Sequence, residues 1–103
     1  MKMLTTAYSD GTLTVFLSGE IDHHTAKQLR EETDEAILMK RPKKTVLDFG
    51  GVSFMDSSGV GLIMGRLRLC QVWDSGLAVK GLSEREERII KMSGLGPMIE
   101  FLP

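Results

Sequence analysis

Short extended segments alternate with helical segments along this chain of 103 residues, and Gly or Pro separates most of them. Such alternation is typical of α/β layer folds, in which helices pack on a sheet, and not of folds with separate α and β regions. A length of 103 residues suits one domain with one hydrophobic core. We therefore expect a single α/β domain over residues 1–103.

Hydrophobic periodicity and turn residues predict where the individual elements lie. Strands are predicted at residues 3–8, 12–18, 44–49, 77–80 and 99–102, and helices at about residues 24–40, 57–72 and 84–93. Asp10-Gly11 predicts a tight turn between the first two strands, because both residues accept positive φ angles. Gly50-Gly51 predicts a corner after the third strand. Asp22 or the Thr25-x-x-Gln28 pattern is a candidate cap of the first helix, and Ser83-x-x-Glu86 of the third.

The second predicted helix carries three glycines in its first half, Gly59, Gly61 and Gly65. Each glycine lowers helix stability by about 1 kcal/mol relative to alanine, so its presence needs a reason. Gly61 and Gly65 are four apart and share one face of the helix, and we expect that face to approach the sheet closely. The predicted apolar stripe of this helix consists of Val60, Ile63, Met64, Leu67 and Cys70.

Composition argues against several classes of partner and cofactor. Thirteen Lys and Arg against fourteen Asp and Glu give a formal net charge of -1, so direct binding to nucleic acid or to a membrane surface is not expected. One cysteine, Cys70, cannot form an internal disulfide, which favours the cytoplasm. His23 and His24 are adjacent and do not face one another on a helix. We therefore expect no metal site, and no sequence motif predicts a cofactor.

The segment from Phe54 to Gly61 places two hydroxyl groups where an apolar stretch meets a helix. Helix capping by Ser57 or Ser58 is the simplest interpretation, but it explains only one of the two serines. A phosphoryl group here would add about -1.5 to -2 charges beside Asp56, held by the free amide groups of the helix terminus. Ser57 has no neighbouring base in the sequence, which predicts a substrate of another enzyme and not a catalytic nucleophile.

Three stretches make the sequence resemble the STAS-domain anti-sigma factor antagonists, and most closely their sporulation branch. The stretches are residues 17–26, residues 52–61 with Gly65-Arg66 following, and residues 92–95, and they occur in family order. The resemblance implies an α/β STAS domain, a central mixed sheet of four to five strands with helices packed on it. Members of the family usually carry a further C-terminal helix, which this chain, ending at Pro103, is expected to lack.

The resemblance also implies a cycle of protein partners and no enzymatic activity. The unphosphorylated antagonist binds an anti-sigma factor that is a serine kinase and releases the sigma factor; phosphorylation, which maps onto Ser57, ends the complex, and a serine phosphatase reverses it. The residues implied to contact the partner are Glu20, Asp22, His23, His24, Asp56, Ser58 and Gly59. Two alternatives stay open: a weak nucleotide-binding STAS module, and an antagonist of the general-stress branch.

Overall fold

A computed structural model describes residues 2–103 of the chain. The strands are β1 (Leu4–Ser9), β2 (Thr12–Ile21), β3 (Lys44–Met55), β4 (Gly76–Lys80) and β5 (Glu100–Phe101), and the helices are α1 (His23–Lys40), α2 (Ser58–Gln71) and α3 (Glu84–Met92). A 3-10 turn, Gly96–Met98, precedes β5. Within residues 2–103 the five strands form one sheet in the order β1-β2-β3-β4-β5.

The sheet is mixed, as predicted. β1 and β2 form an antiparallel hairpin, and Asp10 and Gly11 take φ angles of 51° and 81° in its turn. From β2 onward the neighbouring strands are parallel, so a helix connects each strand to the next. Side chains in β2 point alternately to the two faces of the sheet, so Leu13, Val15 and Leu17 lie in the core and Phe16 is exposed on the other face.

One core lies between the sheet and the helices. α1 packs against β1 and β2, α2 packs against β3 and β4, and the two helices contact each other, so they cover the same face of the sheet. Ile90 of α3 belongs to the same buried cluster. The capping box predicted at Ser83 and Glu86 begins α3, as each residue's side chain accepts a hydrogen bond from the other's backbone.

The predicted corner at Gly50-Gly51 is wrong, because β3 continues through both residues to Met55. The register against β2 shifts at this point, so that Asp48 pairs with Phe16 but Gly51 pairs with Ser18. This is the irregularity expected of a β-bulge, where glycine allows two backbones to approach closely. A Cβ atom at Gly51 would lie 3.0 Å from the carbonyl oxygen of Leu17.

The predicted reason for the glycines of α2 is also wrong. Cβ atoms added at Gly61 and Gly65 would meet nothing within 4 Å among the described residues. The close approach occurs at Gly59, where an added Cβ would lie 2.5 Å from Met55 Cγ and closer still to its sulfur. The buried face of α2 is correspondingly rotated: it consists of Gly59, Leu62, Ile63, Arg66, Leu67 and Cys70, while Val60 and Met64 are only half-buried.

Candidate functional site

Parallel pairing brings the ends of β2 and β3 together. Ile21, the last residue of β2, pairs with Met55, the last residue of β3, and the Asp56 amide donates a hydrogen bond of 3.1 Å to the Ile21 carbonyl. Both strands lead directly into a helix, so the N-termini of α1 and α2 lie at the same edge of the sheet. We call this region the strand-end surface. It contains Glu20, Asp22, His23, His24, Asp56, Ser57 and Ser58.

Asp22 is the cap of α1, which decides between the two candidate caps. Its Oδ1 atom accepts hydrogen bonds of 2.9 Å from the backbone amides of His24 and Thr25. Thr25 Oγ1 accepts the Asp22 amide at 3.1 Å, so Thr25 completes the capping box and does not begin one. The hydrogen bond from the Thr25 amide lowers the pKa of the Asp22 carboxyl, which therefore keeps its charge to lower pH than an ordinary aspartate.

At the start of α2, the predicted capping by a serine side chain is wrong. The Ser57 backbone already has near-helical angles, φ -63° and ψ -13°, and its side chain makes no capping hydrogen bond. A side chain that caps a helix normally extends from β-region backbone. Asp56, one residue earlier, satisfies the helix instead, because its Oδ1 atom accepts the Ser58 amide at 2.8 Å.

The residues that follow Asp56 differ in their exposure. Ser57 is exposed, Ser58 is half-buried and Gly59 is buried. Gly59, which was predicted to contact a partner, faces Met55 in the interior, and its lack of a side chain lets α2 begin close to the end of β3. Ser57 is therefore the more exposed of the two serines at the junction of strand and helix.

An arginine of α3 holds the end of β3 in place, and the sequence did not predict it. Arg85 Nη1 donates a hydrogen bond of 2.9 Å to the Met55 carbonyl. Its guanidinium also lies 5.6 Å from the centre of the Phe54 ring, within the range of a cation–π contact. Because Arg85 is 30 residues away in the sequence, only the folded arrangement reveals that it supports the strand-end surface.

The strand-end surface presents polar and charged groups. Among residues 2–103, no group of three or more His, Cys, Asp or Glu is arranged to hold a metal ion. No helix in the same range is both long enough and apolar enough to cross a membrane. Two helix N-termini and two capping carboxylates converge around an exposed serine.

Comparison with known proteins places this arrangement in a family. The STAS domain family matches residues 4–103. The anti-sigma F factor antagonist of Paenibacillus polymyxa is 42% identical over 85 residues, which cover 82% of this chain and 73% of that protein. The chain belongs to the STAS-domain family of anti-sigma factor antagonists. STAS antagonists are regulatory binding proteins, so the prediction that the chain is not an enzyme is confirmed.

Other STAS antagonists agree with this membership. The anti-sigma-B factor antagonist of Listeria monocytogenes is 34% identical over 87 residues, covering 84% of this chain and 75% of that protein. The solved structure of unphosphorylated SpoIIAA superimposes with a TM-score of 0.81 at 31% identity, covering 97% of this chain and 88% of that one. The phosphorylated form of Bacillus SpoIIAA superimposes with a TM-score of 0.74 at 31% identity, covering 97% and 91%. The predicted STAS fold is confirmed.

Proposed function

We propose that this STAS domain is an anti-sigma factor antagonist of the sporulation branch. In its unphosphorylated form it binds an anti-sigma factor that is a serine kinase, and the sigma factor is released. The identity of 42% to an anti-sigma F factor antagonist, against 34% to an anti-sigma-B factor antagonist, favours the sporulation branch over the general-stress branch. Sigma factors act on RNA polymerase inside the cell, so the proposal includes a cytoplasmic location.

The observation that carries the proposal is the free, exposed hydroxyl of Ser57. Asp56 performs the capping, so modifying Ser57 costs α2 no capping hydrogen bond. Phosphoryl transfer requires the attacking oxygen to reach the γ-phosphate of ATP in line, and an exposed corner meets that requirement better than the half-buried Ser58. A related protein, SpoIIAA, has been solved in a phosphorylated form, which supports the same chemistry.

The proposed switch acts through charge. A phosphoryl group on Ser57 adds about -1.5 to -2 charges beside the Asp56 carboxylate. The kinase surface that fits the unmodified serine is then opposed by the added negative charge and by the larger volume of the phosphoryl group. The kinase complex dissociates for this reason, and a serine phosphatase restores binding. Glu20, Asp22, His23, His24 and Ser58 belong to the proposed kinase-binding surface, together with Asp56.

Mapping the phosphate tests the proposal. After incubation with ATP and the anti-sigma F factor of Paenibacillus polymyxa, or with the cognate anti-sigma kinase, we expect a single phosphate on Ser57 by fragment-ion mass spectrometry. A Ser58→Ala variant should still be modified, at the same position. Chain incubated with ATP alone serves as the control and should stay unmodified. Phosphate found on Ser58, or modification of a Ser57→Ala variant at the wild-type rate, would show that the assignment is wrong.

Two substitutions at Ser57 should separate charge from loss of the hydroxyl. Ser57→Asp should weaken binding to the anti-sigma kinase by about tenfold or more, since it adds a second carboxylate beside Asp56 on the surface that the kinase contacts. Ser57→Ala should bind as wild type but persist in the complex when ATP is added, because it cannot be modified. Titration calorimetry with ADP and with ATP measures both. Equal affinities of the two variants would contradict the charge mechanism.

A further inference from the structure

A groove runs between α1 and the N-terminal half of α2, beside the strand-end surface. It has a volume of about 510 Å³, and its floor is formed by Ala26, Gly61 and Leu62. Four basic side chains line it: His23, His24, Lys27 and Arg30, with Ser58 at the end nearest Ser57. No carboxylate belongs to this lining. The groove thus combines an apolar and backbone floor with a basic rim.

Lys27 and Arg30 supply the permanent positive charge of the rim. Among residues 2–103, neither Lys27 nor Arg30 takes part in an ion pair. Arg66 lies nearby, and its pKa is lowered, mainly because the side chain is buried. The negative charge of Asp34 opposes this lowering, and the positive charge of Arg30 adds to it. Asp34, which follows Arg30 by one turn of α1, is paired with Arg66 instead.

Gly61 keeps the groove open. A side chain at this position would meet no atom within 4 Å among the described residues, so packing does not require glycine there. Glycine inside a helix nevertheless lowers its stability by about 1 kcal/mol relative to alanine. The backbone of Gly61 forms part of the groove floor because this residue has no side chain. Keeping the groove open is therefore a reason for glycine at this position that packing of the fold does not supply.

We propose that this groove extends the contact site for the anti-sigma partner and receives a segment of that partner with an apolar side chain flanked by carboxylates. The proposal rests on the proposed function and extends its interface along α1 to Lys27, Arg30 and Gly61. Charge complementarity specifies the acidic side chains, and the apolar floor specifies the residue between them. The groove is continuous with the surface that presents Ser57, so one partner can occupy both.

A protein segment fits the groove better than a small anion. All four basic side chains are exposed, so they would hold a free anion in water, where such contacts are weak. A bound segment covers the apolar floor and removes water from the same ion pairs, which strengthens them. A small anion as the real occupant is a separate outcome of the test below.

The decisive variants are a matched pair of glycines. Gly61→Leu fills the groove, whereas Gly65→Leu adds the same side chain one turn further along α2, outside the groove, where nothing lies within 4 Å either. Both should fold, as circular dichroism will show, because leucine favours helix over glycine. Binding to the anti-sigma F factor of Paenibacillus polymyxa should weaken by about tenfold or more in Gly61→Leu and stay at the wild-type value in Gly65→Leu.

Charge reversal tests the basic rim. Lys27→Glu and Arg30→Glu should each weaken binding by about tenfold, with a smaller dependence of affinity on salt than wild type. Lys43→Glu, at the opposite end of β3, makes the same change of net charge and should have no effect.

Wild-type affinity in Gly61→Leu and in both reversals would overturn the groove proposal alone. Failure of the wild-type chain to bind would overturn the proposed function, and the groove proposal with it. Amide shifts at Lys27 and Gly61 with millimolar inorganic phosphate and no partner would instead identify a small-anion site and overturn the choice of a protein segment.

Discussion

Gly59→Ala should lower the free energy of unfolding by about 2 kcal/mol, although alanine is the better helix former. The added Cβ would lie 2.5 Å from Met55 Cγ and closer still to its sulfur. Met55 is fully buried at the end of β3, so it cannot move away without disturbing the core around it. The cost of this overlap exceeds the gain of about 1 kcal/mol in helix propensity.

The two other glycines of α2 are internal controls for this result. Gly61→Ala and Gly65→Ala should each raise the free energy of unfolding by about 0.5 to 1 kcal/mol, because the new methyl groups meet no atom within 4 Å. Urea denaturation of the three variants measures the difference. If all three variants are more stable than wild type, the Met55 side chain can move aside at little cost. If all three are less stable, helix α2 requires the backbone freedom of glycine at each position.

Asp34→Leu should lower the free energy of unfolding by about 3 kcal/mol. Asp34 Oδ2 accepts a hydrogen bond of 3.2 Å from Arg66 Nη2, and Oδ1 lies 2.6 Å from Nε of the same arginine. The Arg66 side chain is only 4% exposed, and its other hydrogen bond, from Nη1, is to the Leu62 carbonyl at 3.2 Å. Removing the carboxylate leaves a buried positive charge without a counter-ion, which is far more costly than removing both partners.

A second substitution identifies the cause. Arg66→Met in the Asp34→Leu background should recover most of the lost stability, since an apolar pair replaces the ion pair. Glu35→Leu, exposed on the same turn of α1 and in no ion pair among residues 2–103, is the matched control and should change stability by less than about 0.5 kcal/mol. If the double variant is no more stable than Asp34→Leu, the loss comes from packing of α1 and not from the unpaired charge.

Local signals predicted which strands and helices occur in this fold and in what order. The Asp10-Gly11 turn, the capping box at Ser83 and the alternation within β2 depend on residues a few positions apart, so the sequence contains the whole argument. The same holds for the start of α2, which was predicted at residue 57 and lies at Ser58, whereas the end of β3, predicted at residue 49, lies at Met55.

Interactions between distant segments explain the errors. A glycine pair marks either a corner or a bulge, and only the pairing of β3 with β2 decides between them. The glycine that approaches another segment is Gly59, and its neighbour Met55 is buried by contacts that periodicity does not reveal. Arg66 is buried because Asp34, 32 residues earlier, compensates its charge. Similarly, the basic groove exists only because α1 and α2 lie side by side.

The connection between β3 and α2 is extremely short. Met55 ends the strand and Ser58 begins the helix. Of the two residues between them, Asp56 donates its amide to the Ile21 carbonyl and accepts the Ser58 amide, and the Ser57 carbonyl accepts the Val60 amide. The conformational entropy of this corner is therefore lost during folding and not when a partner arrives. In the proposed cycle, the kinase that modifies Ser57 meets a preformed shape in place of a flexible peptide, so its recognition of the chain depends on the folded surface and not only on the sequence around the serine.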